Sequence, residues 1–343
     1  MESIPSTYTA VVLPDYHPNT IRAMLSLKSK QKEIRELKGD EVLIKMEAAP
    51  VNPSDIAFMQ GGYNISKTTP VVPGFEGAGR VVAAGKSHKA EQLLKKKVSC
   101  FAQEDADGTW AEYFITKEKN CIPLAEDMPW EQAACFAVNP FTAYGLFEAA
   151  RISKSTAIIQ NAAGSQVGNF IRKLAAKSKV DVINIVRKES TLKSLQEEGA
   201  KYVLNSSEED FEEKLREMST LLNANVAFDA VAGKMTGTLY NSMPPGSRVV
   251  VYGGLSGKAV SQVDVLQVIF KNKIIKGFNL NDYILNTGRQ HFQEISDELQ
   301  QMFISGEMKT EIQHTFLFDK IVDALKLYLG NMSKGKVLLK SGN

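Results

Sequence analysis

The chain has 343 residues, 43% of them hydrophobic and 23% charged, which is enough for two packed domains and excludes a globally disordered chain. Forty-one Lys and Arg against 39 Asp and Glu leave a formal charge of +2, so charge gives no reason to expect nucleic acid as a partner. Cys100, Cys121 and Cys135 form no C-x-x-C pair; they exclude a four-cysteine zinc site and do not suggest a disulfide scaffold.

In chain order, the first third reads as β-rich. Runs at 8–13, 41–48 and 77–84 are β-branched or alternating and bounded by turn residues. Short strands at 98–101 and 109–115 flank Asp105-Ala106-Asp107-Gly108, which reads as a hairpin loop. Many short strands with irregular connections suggest a compact barrel-like domain. Residues 130–150 are apolar at helical spacing, interrupted at Asn139-Pro140. Strands at 156–161, 180–186, 202–204, 226–230, 248–252 and 274–280 then alternate with helices at 167–177, 190–198, 208–220, 236–242 and 263–270. Repeated βα units imply a doubly wound parallel sheet with helices on both faces. A helix at 292–305 and a strand at 336–339 are expected to rejoin the first domain. The expected fold class is therefore α/β, with a discontinuous domain of 1–129 and 281–343 and a second of 130–280. The strand at 274–280 falls at the sheet edge, where alternation invites pairing with a twin strand.

Gln160-Asn161-Ala162-Ala163-Gly164-Ser165-Gln166-Val167-Gly168 joins an apolar strand to an amphipathic helix, the setting of a dinucleotide-binding turn. Ala163 and Ser165 replace the first two glycines of G-x-G-x-x-G, and Gly168 keeps the third. Small side chains still let backbone approach a pyrophosphate, with Gly164, Gln166 and Val167 supplying amides at the helix start. An ordinary strand-to-helix turn is the alternative. The next strand ends Asn184-Ile185-Val186-Arg187-Lys188, with no acid where a ribose 2′-hydroxyl would be held. Arg187 and Lys188 suit a 2′-phosphate instead, which favours NADPH over NADH; a solvated strand end is the competing reading for Arg187. Tyr202 is placed to pack on the adenosine or in the core. Gly253-Gly254 would let backbone reach the nicotinamide edge, or form a plain turn.

The motifs Asn52-Pro53-Ser54-Asp55, Gln60-Gly61-Gly62-Tyr63, the run from Pro70 to Gly79, Gly108–Tyr113, Val138–Ala143, the Asn161–Gly168 turn and Gly335–Leu339 occur in an order that resembles the medium-chain dehydrogenase/reductases over nearly the whole chain. The closest branch is the zinc-independent quinone oxidoreductase-like and enoyl reductase-like members. The resemblance implies a GroES-like β-barrel catalytic domain joined to a Rossmann domain, the substrate between them, and a homodimer. Zinc-dependent relatives place a cysteine at Asn52 and a histidine at Phe75, neither of which is a zinc ligand here, so no metal is expected. His17, His88, His291 and His314 are scattered without ligand spacing.

Hydride addition from NADPH to an activated C=C bond or a quinone needs hydrogen-bond donors rather than a Lewis acid. Enoyl reductases carry a tyrosine at the loop position of Tyr63, which implies a proton donor, or an aromatic that only walls the pocket. Asn52 could donate its amide to the substrate carbonyl, and Thr142, at a position bordering the nicotinamide in the family, could otherwise cap the helix after Pro140. Asp55 and Glu76 read as structural carboxylates tying strands together. Lys95-Lys96-Lys97 reads as a solvated charge run.

The leading expectation is a metal-free, NADPH-dependent reductase of enoyl thioesters, enones or quinones. The alternative is a structural or regulatory protein that keeps the fold without turnover. The first five residues lack the segments of a secretory signal, Glu2 and Asp15 sit badly with a transit peptide, and no apolar run approaches ~18 residues. The expectation is a cytoplasmic protein without a membrane span, or a mitochondrial one if a presequence was trimmed.

Overall fold

The computed structural model describes residues 4–102 and 104–342. Its first elements are β1 (Thr7–Val12), α1 (Thr20–Ser26), β2 (Lys28–Glu33), β3 (Glu41–Pro50), α2 (Pro53–Met59), β4 (Glu76–Ala84), α3 (His88–Gln92), β5 (Lys97–Phe101), β6 (Tyr113–Lys117), β7 (Cys121–Pro123) and α4 (Trp130–Ala134). Then come α5 (Asn139–Ile152), β8 (Ala157–Gln160), α6 (Gln166–Lys177), β9 (Asp181–Val186), α7 (Glu189–Glu197), β10 (Tyr202–Asn205), α8 (Phe211–Leu221), β11 (Val226–Asp229), α9 (Lys234–Ser242), β12 (Arg248–Val251), α10 (Val265–Phe270) and β13 (Ile274–Gly277). The last are α11 (Leu280–Asn286), α12 (Arg289–Ile304), β14 (Ile312–Leu317), α13 (Ile321–Gly330) and β15 (Lys336–Lys340).

The chain divides into two units, Met1–Asn139 with Ser296–Asn343, and Pro140–Ile295. These boundaries differ from the expected 129/130 and 280/281 for local reasons. α4 packs on β3 and β4, and Gln132 exchanges hydrogen bonds with the Thr310 backbone, Nε2 donating at 3.0 Å and Oε1 accepting at 2.7 Å. Residues 281–295 stay with the second unit because the Tyr283 hydroxyl donates to Glu148 on α5 at 2.5 Å and His291 pairs with the same carboxylate at 2.7 Å. Phe292 also stacks on Phe141, ring centroids 5.0 Å apart.

The second unit is a parallel six-stranded sheet in the order β10-β9-β8-β11-β12-β13. β8 and β11 are buried along their whole length, as central strands covered on both faces must be. α6 follows from its pattern: Phe170, Ile171, Leu174 and Ala175 recur at helical spacing and are buried. β13 lies at the sheet edge, but it stops at Gly277 rather than running to 280. Asn279 caps α11 there, its Oδ1 accepting the Asn281 amide at 2.8 Å. Asp264 likewise delays α10, accepting the Leu266 amide at 2.9 Å.

The first unit holds a seven-stranded sheet in the order β14-β15-β3-β4-β5-β7, with β6 also on β3, and a two-stranded sheet of β1 and β2. Asp105–Gly108 is not a hairpin loop: β5 pairs with β4 and β7, while β6 pairs with β3. Its carboxylates brace a neighbouring turn instead, Asp105 accepting from Thr68 N at 3.2 Å and Asp107 from Val72 N at 2.9 Å. The strand expected from 109 begins only at Tyr113. Lys97 is buried rather than solvated; its ammonium lies 4.0 Å from the Trp130 ring centroid and donates to the Met128 carbonyl. One core cluster of this unit gathers Phe58, Phe75, Trp110, Val337 and Leu339, and burying a Val, Leu or Phe side chain there is worth about 1.5–3 kcal/mol.

Candidate cofactor and active sites

β8 delivers the chain into the turn before α6. Ala162 takes a positive φ of 48°, and Ser165 becomes the helix N-cap, its Oγ accepting the Gly168 amide at 3.1 Å. Ala163 is buried and its amide donates to Ile185 O at 3.2 Å, which closes the turn onto β9. The amides of Gly164, Gln166 and Val167 have no hydrogen-bond partner among the described residues. Gly168 is required by space, since a Cβ there would lie 2.7 Å from the Ala163 carbonyl oxygen. Free amides at the N-terminus of a three-turn helix fit a pyrophosphate.

Below this turn lies a polar framework that the sequence reading missed. Gln160 Nε2 donates to Gly168 O at 3.1 Å and to Asn184 Oδ1 at 2.8 Å, and Asn184 Nδ2 donates to Tyr202 O at 3.1 Å. Asn161 Nδ2 donates to Asp229 Oδ1 at 2.6 Å, and that carboxylate also accepts the Ala232 amide and, at 2.5 Å, the Thr236 hydroxyl. Four adjacent strands, β10, β9, β8 and β11, are therefore tied together by buried side chains. Arg172 adds a second brace, donating to Ala163 O at 2.6 Å and pairing with Glu198 at 2.9 Å. The available signal was polar residues at strand C-termini, where ligands gather in open parallel sheets.

Arg187 and Lys188 are exposed just past β9, and Lys188 is the N-cap residue of α7. Among the described residues neither has an acidic partner, so both charges are available to an anion. Tyr202 is half-buried against the core of this unit and faces the Lys201 ammonium at 4.7 Å, which favours its packing role. Gly253 could not carry a Cβ, which would lie 2.7 Å from Ala230 O, whereas Gly254 faces open space. The Tyr252 hydroxyl is buried beside Ser165, and burial raises its pKa. Thr142 is not a cap: α5 begins at Asn139, and Thr142 lies buried inside its first turn.

In the first unit, Asn52, Asp55, Glu76 and Lys336 form one buried cluster. Asp55 accepts Asn52 N at 2.7 Å and Phe75 N at 3.1 Å, which fixes the start of α2 against β4. Glu76 accepts Asn52 Nδ2 at 2.8 Å and Val138 N at 2.9 Å. Lys336 donates to Asn52 Oδ1. Both faces of the Asn52 carboxamide are thus committed and the residue is only 2% exposed, so it does not offer its amide to a substrate. Burial pushes Asp55 up to about 7, against the backbone donors and the Lys336 charge, and it raises Glu76 as well. Lys336 came with a motif in the sequence, but its pairing with a residue far away in the chain was not visible there.

Tyr63 sits in the loop after α2, half-buried, its ring 5.2 Å from Phe75. Burial and the Asp55 charge raise its pKa, so the phenol stays protonated at neutral pH. Phe75 itself is core, in edge contact with Phe58 at 5.3 Å. Lys67 was also missed. Its ammonium is buried 5.4 Å from the Phe75 ring centroid and donates to Ala102 O and Ala106 O, each at 2.8 Å. His17 and His314 make local contacts, to Asn19 N and the Phe316 ring, and His88 opens α3. Among the described residues no group of three or more His, Cys, Asp and Glu is placed to hold a metal ion. No helix among them is long and apolar enough to cross a membrane.

Residues 38–126 match the alcohol dehydrogenase GroES-like domain and residues 167–301 the zinc-binding dehydrogenase domain. The mitochondrial enoyl-[acyl-carrier-protein] reductase of Mus musculus is 31% identical over 317 residues, covering 88% of this chain and 83% of its own. That of Xenopus tropicalis is 36% identical over 266 residues, covering 74% and 72%. A Mesorhizobium loti structure, provisionally named an NADPH:quinone reductase, aligns with a TM-score of 0.92 at 30% identity, covering 98% of this chain and 99% of its own. A mitochondrial 2-enoyl thioester reductase heterodimer from Candida tropicalis shares the fold, with a TM-score of 0.79 at 23% identity over 97% and 99% of the two chains.

Proposed function

The chain belongs to the medium-chain dehydrogenase/reductase family, and from that premise we propose that it is an NADPH-dependent oxidoreductase that reduces the activated C=C bond of an enoyl thioester. The observation that carries this reading is the turn before α6, with three unpartnered amides and, past the next strand, Arg187 and Lys188 in place of an acid. The amides of Gly164, Gln166 and Val167 would hold the pyrophosphate, and Arg187 and Lys188 the 2′-phosphate. Bound NADPH supplies hydride. The relatives named as enoyl-[acyl-carrier-protein] reductases favour a thioester over the quinone named for the Mesorhizobium loti protein.

Hydride arriving at the β-carbon leaves negative charge on the thioester oxygen and α-carbon, which must then receive a proton. Tyr63 is the proposed donor, because its phenol is protonated, partly exposed and held against Phe75. The buried cluster of Asn52, Asp55, Glu76 and Lys336 positions this loop by anchoring α2 at its start; it does not touch substrate. Metal independence is proposed on the same residues, since Asn52 and Phe75 are spoken for by hydrogen bonds and core packing.

We also propose a homodimer through β13. That strand has a free edge, and Val265, Leu266, Val268, Ile269 and Phe270 of the neighbouring α10 are more than half exposed, Phe270 by 72%. A monomer mass by light scattering at micromolar concentration would remove this part. The cytoplasmic location is likewise a proposal; co-purification of the tagged chain with mitochondria would replace it with the compartment named for the enoyl reductases.

The activity test is NADPH oxidation with a trans-2-enoyl thioester, an enone and a quinone in parallel. Turnover with the thioester is the expected result, and Tyr63→Phe should lower kcat about 10²–10⁴-fold. Unchanged turnover would remove Tyr63 as the donor, and the absence of turnover on all three would favour a structural or regulatory role.

A further inference from the structure

We propose that Cys100 and Cys121 are a redox pair that closes to a disulfide across β5 and β7 when the protein meets a peroxide. The two thiols are free here and stand directly opposite one another in the antiparallel pairing of these strands. Their type of pairing follows from the ladder. Pro123, opposite Val98, has no N–H, so that position is not hydrogen-bonded; Leu124 N donates to Lys97 O at 2.9 Å instead. Hydrogen-bonded and non-hydrogen-bonded positions alternate along an antiparallel pair. Ser99/Ile122 is therefore hydrogen-bonded and Cys100/Cys121 is not. Directly opposed residues share one face of the sheet, and at a non-hydrogen-bonded position their Cα atoms are about 4.5 Å apart, inside the roughly 4.4–6.8 Å that a disulfide spans. Both side chains belong to one apolar cluster with Ile44, Val98 and Phe114. Cys135 is the C-cap residue of α4 and lies outside that cluster.

Access comes from the edge. β7 has three residues, is the last strand of the sheet and among the described residues pairs with β5 alone, so it opens at less cost than the interior strands. While the strand is closed, burial keeps both thiols protonated and inert. Opening places Cys121 in water, where its thiol loses a proton to solvent and the thiolate attacks hydrogen peroxide; the O–O bond breaks, the sulfur keeps one OH as a sulfenic acid, and the departing hydroxide takes up a proton to leave as water. On reclosure the Cys100 sulfur attacks the Cys121 sulfur, the S–O bond breaks, and a second water leaves with the Cys100 proton. The pair loses two electrons and the peroxide gains them. The product staples the edge strand and removes the Cys100 S–H that donates to Gly77 O at 3.3 Å, next to Glu76.

The test is peptide mass mapping of the full chain after hydrogen peroxide, denaturation and alkylation without reductant. The expected result is one link between the Cys100 and Cys121 peptides within a single chain, reversed by dithiothreitol, with Cys135 alkylated. Oxidation should also raise the thermal midpoint of the wild type and not that of Cys121→Ser. Alkylation of all three thiols, separate sulfinic acids on Cys100 and Cys121, or a link through Cys135 or between chains would each overturn the proposal.

Discussion

The turn before α6 and the cluster around Lys336 are both rich in polar groups, yet they are built in opposite senses. In the turn, the amides of Gly164, Gln166 and Val167 end without partners among the described residues, and the supporting side chains, Gln160, Asn161 and Arg172, bond to the frame beneath them. In the cluster, Asp55, Glu76 and the carboxamide of Asn52 are each bonded on two sides. An open site presents donors to a ligand; a closed one presents them to the protein. Polar residue types alone do not tell the two apart, whereas the destination of each hydrogen bond does.

If this contrast is right, substitutions in the closed cluster should cost stability and those in the open turn should cost affinity. Lys336→Met leaves two buried carboxylates without their cation and should lower stability by about 3–5 kcal/mol by urea unfolding. Loss of less than about 1 kcal/mol would mean the cluster is not held by that charge. Gly168→Ala pushes a methyl group against the Ala163 carbonyl at 2.7 Å. It should weaken NADPH about 10–100-fold while circular dichroism shows the fold retained. Arg187→Glu should weaken NADPH about tenfold and leave NADH little changed, because only the former carries the 2′-phosphate. An equal loss for both cofactors would count against the phosphate role.

The smallest effect concerns pH. His291 has its pKa raised above 6.5 by its hydrogen bond to Glu148, so its stabilising contribution is complete below about pH 6.5 and is lost as pH rises through the higher folded value. The ring is about half exposed, which keeps the effect below about 1 kcal/mol. His291→Gln should therefore be less stable than the wild type at pH 5.5 and equal to it at pH 9, by thermal melts. A constant difference across that range would show that packing, not charge, ties α12 to α5.

The parallel sheet was legible because β8, β9 and β11 are short apolar runs between amphipathic helices, and burial on both faces leaves that mark. β2 was not, since Lys28–Glu33 is exposed and has no apolar alternation; only its register with β1 makes it a strand. The strand-to-helix turn before α6 was legible as a local motif, down to the Ser165 cap and the space that requires Gly168. Asn52 was read as a free amide because its partners, Glu76 and Lys336, come from distant parts of the chain. Cys100 and Cys121 show the same limit, for register cannot be counted from composition.

Titration of the full chain with NADPH and NADH, followed by nicotinamide fluorescence, tests the open turn most directly. Saturable NADPH binding near micromolar concentration, with NADH at least about tenfold weaker, is the expected result. Equal affinity for the two, or binding of neither, would contradict it.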